Sequence, residues 1–277
     1  QGFDMKTLFT LMCIAGFGAA EMSASFSAAR GQAGLVQLAQ AREAAQAIRA
    51  ALLYVERHVQ AVNDLPWGRH PGLDMAERRQ EFSRLLRLVP AAQSITLQDA
   101  AGRELLFVSR RGLDRVGDGP GSAQPQVQVP AQAQARAQVP GGPAVRRFSL
   151  IEYAAGHDPV VKLGLRPAPP AEPQATVVEL GLRTFARDLS DVLRVPGRHI
   201  YAVDAQGTVV LHQDPTVMLE RARVRLPESL QDVGAEPATG LRGDNVLRAV
   251  VQIPELGWRV VVEQPRQAVM APVWATL

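Results

Sequence analysis

The chain has few of the side chains that usually carry catalysis. Cys13 is its only cysteine, which excludes an intrachain disulfide and any cysteine-built metal cluster. Its five histidines, at 58, 70, 157, 199 and 212, include no pair with the spacing of a helical zinc motif. Aromatic residues make up 5% of the chain and the net charge is only +3. The arginines are scattered along helical stretches with no aromatics between them, which argues against nucleic-acid binding. No glycine-rich phosphate loop, nucleophile elbow or kinase motif occurs in a suitable setting. Asp158 follows His157 and Asp214 lies near His212, but no nucleophile accompanies either pair. The expectation is a non-enzymatic chain with no metal and no cofactor.

Long apolar runs are missing too. The longest near the start, Leu8–Ala20, holds 13 residues after Lys6, short of the ~20 that span a bilayer. A cation followed by a short apolar stretch and small residues outlines a secretory signal. If Glu21 is tolerated, the low-charge stretch runs on to Ala29 and reads as a membrane anchor. A helix packed on the protein itself is the third reading. Gln1-Gly2-Phe3 resembles the remnant of a cleaved purification tag. Residues 1–30 are therefore set apart as tag remnant and signal- or anchor-like segment.

What the chain does contain is a hairpin written twice. Ser94–Arg110 reads SITLQDAAGRELLFVSR and His199–Asp214 reads HIYAVDAQGTVVLHQD. Asp99 aligns with Asp204 and Gly102 with Gly207, 105 positions apart. In each copy the aspartate is placed to bond the turn backbone and the glycine to take positive φ. These four are turn-shaping residues. Between Leu35 and Leu65 there is neither glycine nor proline, and the composition predicts a helix of about 45 Å. Ala41, Ala45, Ile48, Leu52, Val55, Val59 and Val62 form a seam along it, either packed on the chain's own sheets or used for homodimerisation. Leu65-Pro66-Trp67-Gly68 ends the helix, with Trp67 as a structural plug. A second helix is predicted over Met75–Val89 with its arginines outward. Gly112–Pro143, rich in glutamine and proline, lacks the apolar residues to offset its ordering entropy. Further strands are predicted at Arg147–Ala154, Val160–Arg166, Thr176–Leu182, Val246–Ile253 and Trp258–Glu263. A short helix is expected over Thr184–Leu193 and a loop over Pro227–Gly243. The pattern lacks the strand–helix alternation of a parallel nucleotide-binding fold and gives an α+β class.

A pocket for a small organic ligand needs an apolar shell with a few converging polar groups. The first sheet offers Arg84, Ser109, Arg110, Arg147, Tyr153, Lys162 and Arg166. Arginine binds a carboxylate bidentately, so an anionic ligand suits this set, and Tyr153 combines a ring with a hydrogen-bonding tip. Against this, Arg84 facing solvent and Arg166 capping a strand end are the plain structural alternatives.

The stretch HIYAVDAQGTVVLHQDP at 199–215 resembles the membrane-proximal part of a double Cache domain, the PAS-like extracytoplasmic sensor of bacterial receptor kinases, cyclases and chemoreceptors. LPW at 65–67, RLLRLVP at 84–90 and LQDAAGRELLFVSR at 97–110 are similar to its membrane-distal part, and LGWRVVVEQP at 256–265 completes a likeness over roughly residues 35–277. The resemblance implies a long N-terminal helix with its Pro-Trp-Gly turn (31–74) along two tandem antiparallel sheets. It implies a distal subdomain over 75–183 carrying the insert 112–143, a proximal subdomain over 184–264, and a C-terminal helix over 265–277. It also implies flanking transmembrane helices and a cytoplasmic output domain, with the sensor in the periplasm and ligand in the distal sheet. RRFSLIEYAAG at 146–156 departs from the Arg-x-Trp-Tyr segment of amino-acid-binding members, which puts recognition by that motif in doubt.

Overall fold

A computed structural model describes residues 5–65, 67, 74–112, 114–117, 145–149, 151–153, 158–166, 174–226 and 232–269. Most of the Gln/Pro-rich stretch, His70, His157 and the chain after Val269 lie outside the described residues.

Helix α1 spans Met5–Asn63, starting well before Leu35. Gly31 and Gly34 do not break it, because each costs only about 1 kcal/mol against alanine in a run without proline. Gly34 also has a packing role: a Cβ there would stand 3.0 Å from Ala235 Cβ. The seam from Ala41 to Val62 is buried throughout, with no member more than 9% exposed. That decides between its two readings, since a stripe packed inside the chain is not free to meet a second copy. Among the described residues no helix is long and apolar enough to cross a membrane. After α1, the Trp67 indole N–H donates to Val62 O at 2.9 Å, and the Arg78 guanidinium lies 4.9 Å from the ring centroid.

The chain divides into two compact units. One comprises Ala47–Ser190 with Val210–Arg221. Its sheet joins β1 (Ala92–Gln98), β2 (Glu104–Ser109), β3 (Arg115–Val116), β4 (Val145–Phe148), β5 (Val160–Arg166) and β6 (Ala175–Gly181) in the order β3-β2-β1-β6-β5-β4, antiparallel throughout. Alternate residues Ile95, Leu97, Leu106, Val108, Val161, Leu163, Leu165, Val178 and Leu180 are buried, each worth about 1.5–3 kcal/mol over the exposed state. Helix α2 (Asp74–Leu88) lies against β1 and β2 and buries Phe82, Leu85 and Leu86. Arg78 departs from the expected outward set of arginines. It is 6% exposed, bonded to Asp74 at 3.1 Å and to Gln174 Oε1 at 2.6 Å, which compensates its burial. The regular ladder of β4 ends at Phe148, short of the expected 154. Ser149 N–H still donates to Lys162 O at 2.9 Å, but the Ser149 hydroxyl accepts from Lys162 N–H at 3.0 Å, and within the expected strand the pairing with β5 returns at the Glu152–Val160 bridge. The helix expected over 184–193 is two pieces, α3 (Leu182–Asp188) and α4 (Ser190–Leu193).

The other unit comprises Gln1–Gln46, Asp191–Val209 and Ala222–Leu277. Its sheet contains β7 (His199–Val203), β8 (Val209–Leu211), β9 (Val233–Thr239), β10 (Asn245–Ile253) and β11 (Trp258–Pro265) in the order β8-β7-β11-β10-β9; β8 runs across the division between the units. The expected loop over 227–243 contains β9. Its VGAEPAT sequence is a poor strand former, but β9 is an edge strand, where Pro237 withholds no needed donor. β10 and β11 are buried on both faces, and across them Arg248 and Glu263, 3% and 1% exposed, form an ion pair at 2.9 Å. Glu263 also accepts from Tyr201 Oη at 2.8 Å and Leu241 N–H at 3.0 Å. Arg248 further donates to Arg225 O at 2.8 Å and to Thr239 O. Burial, then the Glu263 charge, pushes the Tyr201 phenol well above its usual range, so it stays a donor. Helix α5 (Pro215–Leu219) is capped by Asp214, whose Oδ1 accepts from Thr216 N–H at 2.9 Å.

The two repeated turns are built alike. Asp99 Oδ1 accepts from the N–H groups of Ala101 and Arg103 at 2.8 and 2.9 Å. Asp204 Oδ1 accepts from Gln206 and Thr208 at 2.9 and 2.8 Å. Gly102 and Gly207 have φ of 80° and 79°. The backbone bond from Arg103 first, with its guanidinium helping, holds the Asp99 carboxyl below the ordinary aspartate value.

Candidate functional site

Antiparallel register decides which side chains of the first sheet meet. Ser109 is opposite Ser94, Ser94 opposite Glu179 and Glu179 opposite Lys162. Directly opposed residues share a face, so these four make one polar row across β2, β1, β6 and β5, on the face away from the Ile95–Leu97 core set. The next row on that face is Phe107, Thr96, Val177 and Gly164, with Arg147 opposite Gly164 on β4. Ser94 Oγ donates to Glu179 Oε2 at 3.2 Å. Lys162 Nζ meets Glu152 Oε2 at 2.8 Å, with a quarter of the lysine side chain exposed. The row thus offers an ammonium, two hydroxyls and a carboxylate beside an aromatic ring. Such a set matches a small molecule carrying both a carboxylate and an amine or hydroxyl.

The sheet therefore places Ser109 and Lys162 on one face, at the two ends of the row and three strand spacings (roughly 14 Å) apart. It sets Arg147 at the register position next to Lys162; the Arg147 side chain is outside the described residues. Tyr153 adjoins Glu152 in sequence, and its ring lies under the Arg221 guanidinium, 4.3 Å from the centroid. The remaining candidates lie elsewhere. Arg84 is two-thirds exposed on α2, 3.8 Å from Glu81, and borders an open groove of about 830 Å³ with Arg79, Arg87 and Asp114. Arg110 is engaged by backbone: it donates to Ala92 O at 2.6 Å, to Val89 O at 2.8 Å and to Leu86 O. It thus satisfies carbonyls at the C-terminal end of α2, and burial lowers its pKa. Arg166 is exposed at the end of β5. Sequence reasoning passed over Ser94, Glu179 and Glu152. A signal existed for Glu179, a lone carboxylate within the apolar run ATVVELG. Among the described residues no group of three histidine, cysteine or acidic side chains could hold a metal ion.

No protein-family model matches the chain, and no curated protein matches it. Solved structures do. The extracellular domain of the histidine kinase candidate soHK1S-Z6 superposes with a TM-score of 0.58 at 15% identity, covering 90% of this chain and 99% of that one. The sensory domain of the Campylobacter jejuni chemoreceptor Tlp3, solved with isoleucine bound, gives 0.58 at 8% identity over 88% and 97%. The ligand-binding domain of the Pseudomonas fluorescens chemoreceptor CtaA, in complex with L-alanine, gives 0.52 at 14% identity over 85% and 96%.

The chain has the double Cache fold. At these identities the likeness concerns architecture, which matches the long helix and two antiparallel sheets. Within the double Cache fold, the polar row lies on the first of the two sheets in chain order.

Proposed function

We propose that this chain is the extracytoplasmic ligand-sensing domain of a transmembrane signal-transduction receptor and that it is not an enzyme. In this reading, residues 75–183 are the membrane-distal subdomain and 184–264 the proximal one. Membrane helices flank the sensor, and a cytoplasmic output domain, a histidine kinase in the preferred version, receives the signal. The observation that carries the proposal is the Ser109–Ser94–Glu179–Lys162 row, set in a fold that in the chemoreceptors Tlp3 and CtaA holds amino acids. The ligand is a small organic molecule whose carboxylate pairs with Lys162 and whose donor pairs with Glu179. A thermal-shift panel of amino acids, organic acids and amines, followed by calorimetry, tests it. A ligand at 100 times its Kd stabilises the folded form by about 2.7 kcal/mol. Lys162→Met and Glu179→Gln should each weaken the hit at least tenfold. The absence of saturable binding across the panel refutes direct sensing.

A second reading, a ligand-independent interaction domain that dimerises through α1, is favoured by the exposed Leu35, Val36, Leu53 and Tyr54. Leu35 and Leu53 are five helical turns apart and share a face opposite the buried seam. Sedimentation of a Leu35→Glu/Leu53→Glu variant tests it; unchanged self-association argues against this face.

A further inference from the structure

Among the described residues, Arg221 is the one non-glycine residue with left-handed backbone, at φ 52°. It follows α5, where Glu220 N–H donates to Thr216 O at 2.9 Å and Arg221 N–H to Met218 O at 3.2 Å. That helix-ending position usually takes glycine, because a Cβ crowds the backbone there. The stack on Tyr153 offsets that crowding: the guanidinium lies 4.3 Å from the ring centroid, within cation–π range. Strain of this kind persists only where the surroundings over-determine it.

Both ends of this contact lead somewhere. Tyr153 follows Glu152, which exchanges two backbone bonds with Val160 at 2.9 and 3.0 Å and holds Lys162 Nζ at 2.8 Å. Lys162 is the last member of the polar row. On the other side, Ala222 O accepts from Val209 N–H at 2.8 Å and Val224 N–H donates to Gly207 O at 2.9 Å. The backbone angle at Arg221 therefore sets where those two bonds can form.

We propose that Arg221 and Tyr153 form a latch with two backbone states, and that the Lys162–Glu152 pair selects between them. With the pair intact, the 152–160 bridge holds the ring in place and Arg221 stays left-handed. When a competing carboxylate takes Lys162, Glu152 is released and the bridge loosens. The ring then withdraws, and Arg221 relaxes to the right-handed region, moving residues 222–224. A ligand shifts this equilibrium only through its different affinity for the two states. The identity of the natural trigger rests on the ligand site proposed above; the latch itself does not.

Amide hydrogen exchange on the whole chain, read by NMR without ligand, tests it. Glu152→Gln and Lys162→Met each break the pair. Each should speed exchange of the Val209 and Val224 amides about five- to twentyfold, in the usual range of coupling between sites, while Val260 and Val262 stay protected. Arg221→Gly keeps the left-handed backbone without the stack, so the same substitutions in that background should have no effect at Val209 and Val224. Unchanged exchange in both charge variants, or an equal rise in the Arg221→Gly background, overturns the latch. If a charge variant also exposes Val260, it has unfolded; Tyr153→Leu, which removes the ring and leaves the charges, then decides by the same two amides. Loss of ligand binding in the panel with the latch response intact refutes the ligand site alone.

Discussion

Removing one partner of the buried Arg248–Glu263 pair should be among the most damaging single changes in the second sheet. Arg248→Met strands the Glu263 carboxylate, 1% exposed, with only the Tyr201 hydroxyl and Leu241 N–H as donors. An uncompensated buried charge costs about 3–5 kcal/mol. Glu263→Gln keeps the shape but strands the guanidinium, at a similar cost. The double variant Arg248→Met/Glu263→Gln has no stranded charge, so its loss should fall at least about 2 kcal/mol short of the sum of the singles, within the coupling range of contacting residues. It will not return to wild type. Arg225 O and Thr239 O lose their donor, and each unpaired buried group costs about 1–3 kcal/mol. Urea denaturation followed by tryptophan fluorescence reads the cycle, since Trp258 is 4% exposed on β11. Additivity within about 0.5 kcal/mol, or single costs below 1 kcal/mol, refutes the reasoning.

Other outcomes follow from the same geometry. Gly207→Ala should destabilise more than Gly102→Ala by thermal denaturation. Both pay the left-handed penalty of about 1–2 kcal/mol, but a Cβ at 207 would stand 2.3 Å from Val224 O whereas 102 faces open space; equal losses would contradict this. Ile48→Glu should unfold the protein by circular dichroism, because residue 48 is fully buried and an isolated charge there is costly. Tyr201→Phe should lower stability by about 1.5–3 kcal/mol, the scale of a hydrogen bond to a charged group. Because the folded-state pKa of Asp99 is depressed, its stabilisation is present above the unfolded aspartate pKa and is lost as pH falls through the folded one. Asp99→Asn should therefore reduce the difference in Tm between pH 6 and pH 2.5, and an unchanged difference would contradict it.

The repeated turns, the apolar alternation of β1, β2, β5 and β6 and the near-continuous apolar runs of β10 and β11 were legible because local chemistry dictates them. β9 was not, since Pro237 and Ala238 carry no strand signal and only pairing with β10 makes the segment extended. The Ala41–Val62 seam was legible as a stripe, but periodicity is silent on what covers it. The candidate site was half visible. Ser109 at a strand end and Lys162 within a strand were picked out as polar groups of the first sheet, while their grouping with Ser94 and Glu179 depends on register across four strands. Arg110 shows the converse: a guanidinium near a strand end suggested a ligand contact, and three backbone carbonyls occupy it.

The two turns, alike in their bonds, differ in what surrounds them, and that difference is useful for engineering. The Asp99–Arg103 turn projects where Gly102 has no neighbour within 4 Å, and it joins β1 to β2, the strands carrying Ser94 and Ser109. A circularly permuted fluorescent protein spliced between Ala100 and Ala101 would sit clear of the packed interior while being anchored to both strands of the polar row. At the matching position Ala205 and Gln206 are exposed too, but the next residue, Gly207, is packed against Val224 O, so a graft there would press on that contact. The first turn is thus the natural splice point for converting this domain into an optical reporter of whatever its first sheet binds.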